Sequence, residues 1–146
     1  MPDADTSQLT EEAIRTFATD WYVALDRHVP LEEVLAFITD DLEFAVPEDT
    51  FLGHDGFARW YEAVTNLFFD EEHTVTKVDA VIEGDRAIVQ VIVNWQAKVW
   101  KRPAARSEWL GFDADQTWTV VPGPNGPQIS KYTVNALDPM PGSGTL

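Results

Sequence analysis

The sequence predicts an α+β domain in which helices come first and a run of long antiparallel strands wraps around them. Two observations carry that expectation: apolar residues repeat at helical spacing up to Phe68, and from His73 onward the period drops to two. Size is the third, since 146 residues and 16.4 kDa suit one domain and leave no room for separate cofactor and substrate domains. The domain is drawn as residues 9–137, with 1–8 and 138–146 as loose termini. An apolar content of 45%, with six Trp, eight Phe and three Tyr, is enough for a core that folds alone.

Thr10 opens the first helix as a cap, Glu11 and Glu12 face the positive end of its dipole, and Leu9 can staple to Ile14. Ile14, Phe17, Ala18, Trp21, Tyr22 and Leu25 follow at offsets 0, 3, 4, 7, 8 and 11, a single apolar stripe. Pro30 suits the first turn of a short second helix, in which Leu31, Val34, Leu35 and Ile38 repeat the spacing until Thr39, Asp40 and Asp41 stop it. Leu42 to Val46 alternates as a short strand that Pro47 ends, and a polar loop runs to Gly53. From Asp55 the chain turns helical again, with Phe57, Trp60, Tyr61, Val64, Leu67 and Phe68 on one face.

Residues 73–82 and 86–100 read as two strands joined by a turn at Gly84 and Asp85. In the second, Ala87, Val89, Val91, Val93, Trp95, Ala97 and Val99 occupy every odd position, while the even positions include Gln90, Asn94, Gln96 and Lys98. Straight, such a strand would span ~50 Å at ~3.3 Å per residue, more than so small a domain covers flat, so the sheet must curl. Strands at about 107–121 and 128–136 complete it, joined by the Pro122 to Gly126 turn. Val91, Val93, Trp95 and Trp118 are expected to face the helices.

Ten Lys and Arg against 25 Asp and Glu give a net charge of −15, which repels phosphate backbones and anionic bilayers; neither nucleic acid nor membrane is expected as a partner. With no Cys there are no disulfides, thiolate nucleophiles or cysteine metal sites. The first residues are acidic, and no apolar stretch approaches the ~18 residues a membrane helix requires, so a cytoplasmic protein is expected. No two of the three His stand at ligand spacing, and neither a glycine-rich phosphate loop nor a Gly-x-Ser-x-Gly elbow occurs. Neither a metal nor another cofactor is expected.

Several short segments, in this order and spacing, resemble the nuclear-transport-factor-2-like superfamily and in particular its SnoaL-like branch. They are Asp20 to Asp26 (DWYVALD), Thr39 to Glu43 (TDDLE) leading to Pro47, Gly53 to Phe57 (GHDGF) leading to Trp60 and Tyr61, and Gln116-Thr117-Trp118 with Ile129. The resemblance spans Ile14 to Asn135 and implies a cone with a blind pocket between the concave sheet face and the helices. It implies no single activity, because isomerases, dehydratases, cyclases and non-catalytic domains share the cone. Aligned with ketosteroid isomerases of that superfamily, Tyr22 falls on an oxyanion-binding tyrosine, Val46 replaces a general-base aspartate, and Gln116 stands near a protonated aspartate. A one-residue bulge would put Asp115 in place of Gln116. SnoaL-like sequences often carry a cavity histidine where His73 stands, and in resembling proteins the convex sheet face pairs two subunits.

The candidate catalytic residues are therefore Tyr22, His73, Gln116 and Asp26. His73 is either a general base among aromatics or a strand-end histidine bonded to the backbone. Asp26, one turn beyond Tyr22, is either that tyrosine's acid partner or a helix cap paired with Arg27 or Arg59. His28 is expected to interact with the end of the first helix and His54 to lie on a surface loop. Trp21, Phe44, Val46, Trp60, Tyr61, Trp95, Trp118 and Tyr132 are taken as the lining of a pocket for a flat, hydrophobic small molecule. The semi-polar row Gln90, Ile92, Asn94 and Gln96 suits a homodimer through the convex face. Two functions follow: a cofactor-free isomerase, dehydratase or cyclase moving a proton on an aromatic or polyketide-like substrate, or a non-catalytic ligand-binding or accessory dimer domain.

Overall fold

The computed structural model describes residues 9–146; the acidic leader 1–8 lies outside the described residues. Thr10 caps α1 (Glu11–Asp26), accepting the Ala13 N–H at 3.1 Å, and the predicted stripe from Ile14 to Leu25 is its buried face. The second helix, α2 (Leu31–Leu35), is shorter than the spacing predicts. Ile38 instead opens β1 (Ile38–Val46), and Thr39, Asp40 and Asp41 are strand rather than a stop signal. Pairing decides this, since Ile38 lies beside Ile129 of the last strand and the Phe37 carbonyl accepts the Ile129 N–H at 2.8 Å. A partner 91 positions away leaves no local mark.

The expected loop before Gly53 is likewise half of a hairpin: β2 (Asp49–Leu52) pairs antiparallel with β1, Val46 opposite Asp49. Gly53 then turns the chain at φ +68° into α3 (Gly53–Leu67); a Cβ there would also meet the Asp40 carbonyl oxygen at 3.1 Å. Four long strands follow: β3 (Phe68–Glu83), β4 (Arg86–Val99), β5 (Glu108–Gly123) and β6 (Gly126–Pro139). They join β1 and β2 in one curved, unclosed sheet of order β2-β1-β6-β5-β4-β3, antiparallel except for the β1–β6 pair. Its inward face packs on α1 and α3. The strict alternation of β4 holds: Ala87, Val89, Val91, Val93, Ala97 and Val99 are buried and Trp95 is half-buried, as Trp118 of β5 is buried beside them. The outward row is tied laterally, Gln90 to Asp115 at 3.2 Å and Asn94 to Asp113 at 2.9 Å.

β3 begins five residues before the predicted start, and its register shifts twice. Between Phe69 and Glu72, three steps on β3 oppose two on β4 (Lys98 to Gln96), and the extra residue falls where Asp70 sits at φ +51°. Because side chains alternate with period two, that insertion reverses which face each later residue takes, and it turns His73 inward beside Trp95. A second shift between Val75 and Lys77 restores the pattern so that Val78 is buried. At the other end, residues 140–144, placed in a loose terminus by the sequence, return along β5: Met140 and Gly144 donate N–H groups to Gly111 and Trp109 at 2.9 and 3.0 Å. No helix among the described residues is long and apolar enough to cross a membrane.

The left-handed backbone at Asp70 favours glycine, asparagine or aspartate over a β-branched residue. Asp70→Gly should leave stability within ~0.5 kcal/mol, whereas Asp70→Val should lower it by ~1–2 kcal/mol, as read from urea unfolding of both variants.

Candidate active site

Asp26 is the last residue of α1 and His73 lies just past the β3 bulge. The Asp26 carboxylate grips the strand twice: Oδ1 stands 2.5 Å from His73 Nδ1, and Oδ2 accepts the His73 backbone N–H at 2.9 Å. With the ring proton assigned to Nδ1, where Asp26 can accept it, Nε2 keeps a lone pair. The two side chains are 10% and 21% exposed, shielded yet reachable. Tyr22 stacks on the imidazole at 4.7 Å and Trp95 lies on it at 6.3 Å, both 27° from parallel. Both residues were candidates in the sequence, but not as partners: Asp26 serves neither Tyr22, Arg27 nor Arg59.

Gln116 stays inward and Asp115 outward. The β5–β6 register does shift at this point, but the additional residue is on β6, between Val134 and Ala136, so the Asp115 alternative is not taken. Gln116 is 4% exposed, and its Oε1 accepts the Tyr22 hydroxyl at 2.7 Å and the Trp118 indole N–H at 3.0 Å. The Tyr132 hydroxyl lies 3.2 Å from that of Tyr22. Tyr22 and Gln116, expected to aim together at a substrate oxyanion, thus bond to each other. Burial holds the Tyr22 hydroxyl well above its usual ionisation range, helped by Tyr132, and pushes Tyr132 up to about 12 against hydrogen bonds that favour its ionised form. These phenols are neutral donors, not bases.

The expected pocket lining is largely core. Phe44 packs on Tyr132 and on Trp60, each at 4.6 Å; Trp118 stacks on Tyr132 at 5.4 Å; Trp21 touches Phe57 and Trp118 at 5.8 and 6.4 Å. Val46 is half-buried against the same cluster, and the Tyr61 hydroxyl donates to the Val29 carbonyl at 2.6 Å. None of these lines the 590 Å³ cavity that opens farther along the concave face, between Phe112, Val134, Leu137 and Pro139 on one side and Pro47 and residues 143–146 on the other.

One buried carboxylate escaped the sequence reading. Glu71 is 8% exposed; Oε1 accepts the Trp95 indole N–H at 3.0 Å, and Oε2 is in contact with His28 Nε2. Its signal in the sequence is the period-two spacing of Glu71 and His73, which a strand beginning at His73 leaves out. His28 therefore reaches β3 rather than the end of α1, at φ +50°. His54 begins α3 rather than sitting on a loop, with Nε2 3.3 Å from the Ile38 carbonyl and 3.6 Å from Asp40.

A curled sheet closed by helices, with a His–carboxylate pair on its concave side, defines a cone of the nuclear-transport-factor-2-like fold. A family model described as a SnoaL-like domain matches residues 18–124, and the chain belongs to that family. A provisionally assigned aromatic ring hydroxylase from Novosphingobium aromaticivorans superposes with a TM-score of 0.77 at 18% identity, over 89% of this chain and 92% of that one. A provisionally assigned scytalone dehydratase from the same organism gives 0.75 at 18%, over 92% and 88%. The hexachlorocyclohexane dehydrochlorinase LinA-type3 from Novosphingobium barchaimii gives 0.72 at 17%, over 92% of each chain. At these identities the likeness is one of fold. No curated protein matches the chain significantly.

Unfolded tyrosines ionise near 10, so between about 10 and 12 the unfolded chain releases protons that folded Tyr132 retains, and the upward shift of Tyr22 acts in the same direction. This contribution to stability is intact below pH 10 and is lost as pH rises through that window. Phenolate absorbance at 295 nm should stay low in the folded protein at pH 10 and appear together with unfolding.

Proposed function

We propose that this protein is a cofactor-independent lyase that carries out a base-promoted elimination, of the dehydration or dehydrohalogenation kind, on a small neutral hydrophobic molecule. The Asp26–His73 pair carries the reading. His73 Nε2 takes a proton from carbon, the C–H electrons form the new double bond, and the leaving group departs from the adjacent carbon with its bonding pair. The imidazolium so formed faces the Asp26 carboxylate, which stabilises its charge and holds the ring in place. An isomerisation through an enolate would need donors aimed at the oxyanion. With the Tyr22 hydroxyl committed to Gln116, a concerted elimination makes the smaller demand. Dehydratase and dehydrochlorinase names among proteins of this fold favour the same class.

The self-satisfied Tyr22–Gln116–Trp118 cluster also favours a second reading, a binding domain that performs no chemistry. Halogenated cyclic hydrocarbons test the concerted route, and neutral β-hydroxy ketones, whose dehydration passes through an enolate, test the alternative. On whichever compound is consumed, His73→Ala should lower turnover by ~10²–10⁴ and Asp26→Asn by a smaller factor, with melting temperatures recorded for both. No turnover across the panel would leave the binding reading in its place, and full turnover by folded His73→Ala would remove His73 as the base.

The same proposal includes a homodimer through the outward face of the sheet, where Gln90, Asn94 and Gln96 form a laterally bonded polar row. Light scattering at micromolar concentration should give twice the 16.4 kDa chain mass; the monomer mass alone refutes it.

A further inference from the structure

We infer that Trp95 is the specificity-determining wall between His73 and a ligand chamber for neutral, largely apolar molecules, and that Glu71, backed by His28, is the positioning residue that holds this wall in place. The inference rests on the reading of His73 as the reactive base, but access to His73 can be measured without any turnover.

Four strands contribute to one lateral row. His73 of β3 is opposite Trp95 of β4, Trp95 is opposite Phe112 of β5, and Phe112 is opposite Pro139 of β6. The Trp95 ring lies 6.3 Å from His73 on one side and 6.1 Å from Phe112 on the other, within 27° and 24° of parallel. Phe112 and Pro139 also line the 590 Å³ cavity, whose size falls in the range of small-molecule sites. The row therefore leads from the base to the chamber, and Trp95 occupies the step between them.

Among the described residues no Asp, Glu, Lys, Arg or His side chain lines the chamber, and its walls at Phe112, Val134 and Leu137 are apolar. An ionic ligand would lose hydration there and meet only the neutral polar groups of Asn135, Ser143 and Thr145, so the chamber suits an uncharged one. The net charge of −15 disfavours anions further.

Trp95 is only half-buried, so packing alone does not fix its ring. Its indole N–H is tied to Glu71 at 3.0 Å, and Phe68 meets it edge-on at 5.0 Å. Glu71 is costly to bury as a carboxylate, and its second oxygen is engaged by His28. Such an arrangement, next to the left-handed backbone at Asp70 and His28, exceeds what a plain wall of the core requires.

Diethyl pyrocarbonate acylation of His73, followed by peptide mass mapping at neutral pH, reads access to the imidazole directly. Trp95→Leu should raise the His73 rate at least tenfold while Trp95→Phe, which keeps the ring, stays within about threefold of the native protein. Glu71→Leu should also raise the rate, and Glu71→Gln, which keeps an acceptor for the indole, should restore it. In the Trp95→Phe background neither Glu71 change should matter, an outcome a general loss of stability would not produce.

The uncharged probe 2-naphthol should protect His73 in Trp95→Leu, and adding Val134→Trp to fill the chamber should abolish that protection. Melting temperatures and circular dichroism exclude misfolded variants; should Trp95→Leu not fold, Trp95→Met takes its place. An unchanged His73 rate on opening position 95, equal effects of Glu71→Leu and Glu71→Gln, or protection that survives Val134→Trp would overturn the inference. A protein that passes these tests yet turns over nothing would contradict the lyase reading alone.

Discussion

One carboxylate holds the two halves of this fold in working relation. Asp26 ends the first helix, and its oxygens take both the ring and the backbone N–H of His73, so helix and strand cannot slide without breaking two charge-assisted contacts. The contact forms only because the strand carries an added residue at Asp70; in an unbroken pleat His73 would point away from the helices. A local irregularity in one strand thus decides whether the concave face has a base at all. Glu71, lying on the same bulge, is brought inside by the same event, and the two side chains address opposite ends of the Trp95 environment.

The parts that could be read from the sequence are those with local causes. The α1 stripe and the alternation of β4 are set by burial of one face, which marks the residues themselves, and both appear in the structure as expected. The β1 start and the β2 hairpin depend on distant pairing with β6 and between adjacent short strands, where Asp and Thr hide the pattern. The bulge was invisible for a different reason: starting the strand at His73 kept that residue inward for free, so nothing required an inserted residue upstream. Tyr22, Gln116, His73 and Asp26 all have neighbours on the inner side of the sheet. Their pairing is not legible in the sequence, because partnership across 47 and 94 positions is a property of the closed cone.

The aromatic interior shows how composition can mislead about cavities. Trp21, Phe44, Phe57, Trp118 and Tyr132 meet at ring separations of 4.6 to 6.4 Å, where offset and edge contacts are favourable. With this cluster filled, the 590 Å³ cavity lies elsewhere, among Phe112 and smaller residues such as Val134 and Ala136. Most buried polar groups there are paired: Tyr22, Gln116 and Trp118 satisfy one another inside the packed region, and Trp21 Nε1 is the exception among the described residues.

A histidine oriented by a carboxylate does not choose its own reaction; the neighbours do. A donor free to meet a developing oxyanion would favour enolate chemistry, and a charged group in the chamber would favour an ionic substrate. Among the described residues, the phenol nearest the imidazole is stacked on it and spends its proton on Gln116, and no Asp, Glu, Lys, Arg or His side chain lines the cavity next to Phe112. Under the proposed lyase function, what is left to lower a barrier is the imidazole and the carboxylate that orients it. Those resources suit a reaction whose charge leaves with the departing group instead of building on an oxygen held in the pocket, and the proposal of an elimination rests on the surroundings of His73 more than on His73 itself.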